Sequence, residues 1–207
     1  MRLNEANLKN LPTGMQQPTY DRKQVASAIV HLGIGAFHRA HQAMFTDAVL
    51  ASGDLAWGIV GAGVIADDMK KALLPQDCLY TLAEMSADGE KIKAIGSIID
   101  VLGGPEDADK LLARMSDAGT RIVSLTVTEK GYCLDVATGK LLLQAPAIAA
   151  DLRSPATPKS IHGLIVQALR NRQAAGIPPF TVLSGDNPSP YSLLSAERLI
   201  SSFRRPE

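Results

Sequence analysis

The stretch IVHLGIGAFHRAHQ, residues 29–42, decides how the rest of the chain is read. It passes from an apolar run into two glycines, then into an aromatic residue and two histidines around an arginine. The run ASAIVHLG (26–33) predicts a strand buried on both faces and closed by glycine. Beyond it, Phe37, Ala40, Met44, Phe45, Ala48 and Val49 recur at helical spacing and predict one apolar helix face, with Gly53 at the helix end. Strand, glycine turn and helix are the layout of a dinucleotide site. The first glycine allows the tight turn, the second lets backbone approach a pyrophosphate, and the helix start offers N–H groups to the anion. Gly33 and Gly35 fit, but His38 stands where a third glycine or alanine belongs.

A rival lies downstream. WGIVGAGV (57–64) predicts a second buried strand, and Gly61, Gly63 and Ala66 satisfy G-x-G-x-x-[GA] in full. Glu84 follows at about the spacing of a ribose-binding acid. The motif favours this second loop. The longer amphipathic segment after Gly35 favours the first, because the segment after Gly63 is cut short at Pro75. Spacing leaves both open.

Outward from these loops, strands and helices alternate. CLYTLAEMS and KIKAIGSII flank ADGE and predict a hairpin turning at Asp88-Gly89. Pro105 opens a helix reaching about Met115, and RIVSLTV (121–127) is another buried strand. DVATGK reads as a turn. SIHGLIVQALRNRQAAG (160–176) is a helix ended by Gly176, with Ile161, Leu164, Ile165 and Leu169 on one face. FTVLS (180–184) is a last strand and YSLLSAERLISSF (191–203) a last helix. The expected fold is α/β: a doubly wound, Rossmann-like parallel sheet with a β-hairpin insertion. Residues 1–22 are expected to form an arm and residues 23–207 the domain.

Composition narrows the function. The 207 residues carry 21 basic and 21 acidic side chains, a balance that argues against nucleic acid as partner. Cys78 and Cys133 form no CxxC pair, so reduced thiols in a cytoplasmic protein are expected. The polar start MRLNEANLKNLPTG lacks the apolar core of a signal peptide, and no apolar run is long enough to span a bilayer. His31, His38 and His41 cluster in sequence, but no cysteine or acid lies close enough to complete a metal site, and none is expected. A small molecule is the expected partner.

Four motifs, IVHLGIGAFHRAHQ, QDCLYTLAEMSADG, SLTVTEKGYCLD and FTVLSGDN, together resemble the mannitol dehydrogenase family of long-chain polyol dehydrogenases. The resemblance implies an NAD-dependent oxidoreductase that interconverts a polyol or sugar acid and its keto form, such as mannitol and fructose or mannonate and fructuronate. It implies that Gly33, Ile34, Gly35, Ala36, Phe37, His38 and Arg39 form the NAD turn, with Arg39 facing a cofactor phosphate. The second glycine pair then ends strand two, and Asp67 or Asp68, rather than Glu84, reads the ribose and disfavours a 2′-phosphate. Thr126 and Glu129 lie where ligands bind in such sheets, and Asn187 matches the asparagine that holds the substrate oxygen. Gly185 replaces the cysteine usual in the family's S-C-D-N motif.

The family continues past this point into a mostly helical domain with its catalytic lysine. No counterpart follows Asn187, so the chain is expected to be the cofactor domain alone, inactive by itself. The surface that would meet the second domain is expected to favour self-association. TEKGYC leans toward fructuronate reductases, while WGIVGAGV with QDCLYTL leans toward mannitol dehydrogenases.

Overall fold

The structure, a computed structural model, describes residues 2–63, 66–127, 129–135, 138 and 140–185, with Glu129 and Lys130 described through their backbone. Asn187 and the expected helix at 191–203 lie outside the described residues. Strands β1 (Ser27–Leu32), β2 (Gly58–Gly63), β5 (Ile98–Gly103), β6 (Ile122–Leu125) and β7 (Thr181–Ser184) form one sheet in the order β5-β2-β1-β6-β7. Every neighbouring pair is parallel. The remaining strands, β3 (Tyr80–Ser86) and β4 (Gly89–Ile95), form the separate antiparallel hairpin, inserted between β2 and β5. This is the doubly wound, Rossmann-like arrangement, in which strand order reverses between β1 and β6.

Successive side chains of a strand point to opposite faces, so each buried strand feeds two cores. Val30, Leu32, Val123 and Leu125 pack with Leu111 and Met115 of α4 (Ala108–Ser116) and with Leu164, Ile165 and Ala168 of α6 (Ile161–Ala174). Ile29, Ile59, Ile98 and Val101 face the other way, toward Ala43 of α2 (Gln42–Ala51) and Leu73 of α3 (Asp68–Leu73). The short α1 (Ala36–Ala40) bends at His41 into α2, and α5 (Pro146–Arg153) precedes α6.

Three expectations need correction. The buried side of α1–α2 is His38, Ala43, Thr46 and Leu50, whereas Phe37 and Phe45 stay 58% and 63% exposed and Val49 is also exposed. The bend at His41 shifts the helical frame, and two polar residues occupy buried positions. Second, KIKAIGSII is not one hairpin strand. The Ser97 hydroxyl donates to the Ala43 carbonyl at 2.6 Å, and beyond it Ile98 begins the edge strand β5. Third, PAIAADLR (146–153) forms a helix where none was expected.

The first residues are docked rather than free. Gln16 bridges to Lys93 of the hairpin, and the Arg22 guanidinium donates to the carbonyls of Gly96, Asp77 and Ile98 and pairs with Glu5. A similar knot closes the other side. Arg172, 3% exposed, donates to the carbonyls of Pro178, Met115 and Asp117 and lies over the Phe180 ring.

His31, His38 and His162 are fully buried. Burial depresses their pKa values from 6.5 to about 4, about 3 and about 4 respectively, and the neighbouring His31 lowers that of His38 further. The folded state therefore holds all three neutral where the unfolded chain binds protons. Their stabilising contribution is complete above pH 6.5 and falls as pH drops toward 4. Each group costs up to about 1.4 kcal/mol per pH unit in that window. Urea midpoints should fall steadily between pH 7 and pH 5, above the range where carboxylates titrate. A flat midpoint would show that the three rings are solvated.

Candidate functional site

The carboxyl end of the central strand carries the first glycine loop. Gly33 has φ +100°, and a side-chain carbon there would collide with the Thr126 carbonyl at the end of β6. Glycine is thus required for conformation and for space. The Gly33 N–H donates to the Ala62 carbonyl at 2.9 Å, and the Gly35 N–H turns back onto the Gly33 carbonyl at 2.6 Å. Gly35 is exposed, and the nearest atom to a carbon added there is 3.9 Å away. Among the described residues, the outer side of the turn is therefore open. Helix α1 starts at Ala36, and hydrogen bonds continue across the bend from His41 N–H to Phe37 and from Phe45 N–H to His41.

The structure brings Gly33–Arg39 and Thr126 together across the reversal point of the sheet. The side chains do not all face outward. Ile34 is buried against Gly61, and the His38 ring lies beneath the turn, stacked on His31 at 3.4 Å. Phe37 is exposed and stacks on His41. The Arg39 guanidinium donates to the Ile34 carbonyl and the Met69 sulfur, both at 2.9 Å, so it bridges the glycine turn and the start of α3. Tyr80 holds the same helix through the Arg39 carbonyl at 2.6 Å. Glu129 begins the 3₁₀ turn that follows β6.

The two glycines of the rival motif are tightly packed. A side chain at Gly61 would enter the space of Ile34, and one at Gly63 would meet the Ala66 carbonyl. These glycines are explained by packing of the protein on itself. Asp67 and Asp68 follow at the exit of β2. Asp67 is half-buried and pairs with Lys71 at 2.8 Å, a hydrogen bond that holds its carboxyl below the ordinary value, while Asp68 is exposed. Glu84 lies on the hairpin, paired with Lys93 at 2.9 Å, outside the parallel sheet. Among the described residues, no group of three or more His, Cys, Asp or Glu is placed to hold a metal, and no helix is long and apolar enough to cross a membrane.

Sequence reasoning missed a neighbouring feature. Gly103 ends β5, and the N–H of the following Gly104 donates to the Gly63 carbonyl at 3.1 Å. Beside them opens a cavity of about 410 Å³, lined chiefly by Gly63, Leu102, Pro105, Leu112, Pro158 and Leu164. Asp107, 2% exposed, borders it, accepting from the Gly103 N–H, Lys70 and Lys110. The hydrogen bond from Lys70 is the largest cause holding its carboxyl far below the usual carboxylate range. The sequence signal was the glycine pair before Pro105, hidden because β5 itself was not recognised.

The chain is similar to known proteins along nearly its whole length. A family model described as the mannitol dehydrogenase Rossmann domain matches residues 27–204. Mannitol 2-dehydrogenase of Pyrenophora tritici-repentis is 41% identical over 99% of this chain and 36% of its own length. D-mannonate oxidoreductase of Escherichia coli is 46% identical over 86% of the chain and 37% of its own length. The solved Pseudomonas fluorescens mannitol 2-dehydrogenase, in ternary complex with NAD and D-mannitol, superposes with a TM-score of 0.90 at 41% identity, covering 97% of this chain and 42% of that one. The chain thus spans well under half the length of these relatives. By that match and by its parallel sheet, it belongs to the mannitol dehydrogenase family, whose Rossmann domain it contains.

Proposed function

We propose that this chain binds NAD at the turn Gly33–Arg39 and acts as the cofactor domain of a polyol or sugar-acid dehydrogenase. The observation that carries the reading is the open outer face of Gly35 at the reversal point of the sheet, two residues beyond the contact of Gly33 with Thr126. A pyrophosphate fits where backbone is bare and a helix begins. The cavity beside Gly63 and Gly104 is largely apolar and suits the flat face of adenine. Asp67 follows β2 with its Cα close to Gly103 in the cavity wall, and it is the acid we assign to the ribose hydroxyls. Its carboxylate stays charged at neutral pH and repels a 2′-phosphate.

Bound NAD supplies the acceptor for a hydride from the carbinol carbon of the substrate. The residues here bind and orient it: Gly33 and Gly35 by leaving space, Arg39 by joining the turn to α3, and Thr126 and Glu129 from the neighbouring strand end. Asn187 is assigned by resemblance to the substrate oxygen, where an amide N–H stabilises developing negative charge. The mannitol 2-dehydrogenase and D-mannonate oxidoreductase relatives favour mannitol and mannonate, with their keto forms, as substrates. Proton transfer rests with the family's lysine, which has no counterpart in these residues. General acid–base help is worth about 10²–10⁴ in rate.

Three measurements test this reading. Gly35→Val should weaken NADH binding about tenfold or more in a fluorescence titration, a loss of about 1.4 kcal/mol or more, while the urea midpoint changes little. Binding equal to wild type would move the site elsewhere. Asp67→Ala should narrow the preference for NADH over NADPH, and Asp68→Ala should leave it nearly unchanged; the opposite ranking would reassign the ribose acid. Finally, the 207 residues assayed alone should bind NADH yet turn over no mannitol, fructose, mannonate or fructuronate. Turnover at ordinary enzyme rates, lost in Asn187→Ala, would show that this segment carries its own catalyst.

A further inference from the structure

Beneath the turn lies a chain of hydrogen bonds that the dinucleotide motif does not require. Gln42 on α2, Ser124 and Thr126 at the end of β6, and His31 on β1 join into one line that ends on the Gly33 carbonyl. His31 Nδ1 is 2.8 Å from the Ser124 hydroxyl, which as placed donates to Gln42 Oε1 at 3.0 Å. His31 Nε2 is 2.8 Å from the Thr126 hydroxyl and 3.2 Å from the Gly33 carbonyl oxygen. The Thr126 hydroxyl is 2.8 Å from that same oxygen, which also accepts the Gly35 N–H at 2.6 Å.

A neutral imidazole carries one ring proton, so the line has two possible arrangements. With the proton on Nδ1, bare Nε2 takes the Thr126 hydroxyl proton. The Gly33 carbonyl then loses that donor and faces a second lone pair at 3.2 Å. With the proton on Nε2, the ring donates toward Thr126 and Gly33, and the Thr126 hydroxyl donates to Gly33. Nδ1 accepts from Ser124, and the Gln42 amide, turned end for end, presents its NH₂ to the Ser124 oxygen. Only the second arrangement leaves no two lone pairs facing each other, and His31 and Ser124, both buried, cannot turn to water instead. His38, stacked flat on His31, fixes the plane of the ring.

We infer that His31, protonated on Nε2, is the positioning residue of the cofactor turn: it holds the Gly33 carbonyl inward. The inference rests on the reading of Gly33–Arg39 as the NAD turn. The Gly33 carbonyl and the Ile34 N–H belong to one planar trans peptide and point in opposite directions. Holding the carbonyl toward His31 therefore aims the Ile34 N–H away from the interior. It also fixes the peptide plane on which the path to exposed Gly35 depends.

The test combines a ring spectrum with a pair of variants. In the wild-type chain without cofactor, the ¹⁵N resonances of the His31 ring should show the proton on Nε2; a proton on Nδ1 would overturn the assignment. NADH titration then compares His31→Leu, which removes every donor, with His31→Gln, whose amide places an N–H near the Nε2 position. The leucine variant should bind about tenfold more weakly, and the glutamine variant should stay within about threefold of wild type, the scale of one buried hydrogen bond. Equal losses in both at matched unfolding midpoints, or no loss in either, would overturn the positioning role. If His31→Leu does not fold, the ring spectrum and the glutamine variant still decide: a tenfold loss in His31→Gln with the fold kept counts against it. Wild-type protein that does not bind NADH at all overturns the cofactor reading instead, and is recognised before any variant is made.

Discussion

A carbonyl oxygen at the end of β6 leaves no room for a side chain at the end of β1. That contact between Thr126 and Gly33 is the constraint around which the site is arranged. Parallel neighbours lie only about 4.8 Å apart, and the sheet reverses its winding between these two strands, so β1 must turn sharply over its neighbour's end. Only glycine takes φ +100° in that space without strain. Once the turn is made, Ile34 drops into the core against Gly61, Gly35 reaches the surface, and α1 starts. Replacing Gly33 would disturb β1, β2 and β6 together, since its own N–H is tied to Ala62.

The parts of the fold legible in the sequence are those buried on both faces. β1, β2 and β6 read as largely apolar runs because helices cover them on either side. The hairpin was legible from Asp88-Gly89, and α6 from Gly176, which has φ +67°. The orientation of α2 was not. His38 and Thr46 point inward and Phe37, Phe45 and Val49 outward, so the apolar pattern gave the wrong side. β5 was hidden because Ile98 and Ile99 continue the apolar tail of β4 without punctuation beyond Gly96. Also hidden was the contact of Ile34 with Gly61, twenty-seven residues apart, which fills the space beside the second glycine pair. No local pattern encodes it. The family resemblance points to the first loop, and the packing of Gly61 and Gly63 against the protein's own atoms is compatible with it.

The charges around the exit of β2 form a second pattern. Lys70 is engaged by Asp107 and Glu106, and Lys71 by Asp67. The cations of α3 are thus already matched by carboxylates from the ends of β2 and β5. Such pairing lowers the positive potential that a phosphate ester would meet there. It also ties α3 to the residues that follow the Gly103-Gly104 corner.

The knot at Arg172 has a bearing on how this domain can vary. One guanidinium reaches three carbonyls on two segments: Met115 and Asp117 at the end of α4, and Pro178 in the loop before β7. A lysine has a single nitrogen at its tip and cannot span them. Insertion or deletion of a residue between Gly176 and Phe180 would carry Pro178 out of reach and strand a buried cation. Loop length here is therefore as constrained as any core side chain. By contrast, the turn at Gly53, where an added side chain meets nothing within 4 Å, is free to lengthen. Family members should record insertions at the second corner and not at the first.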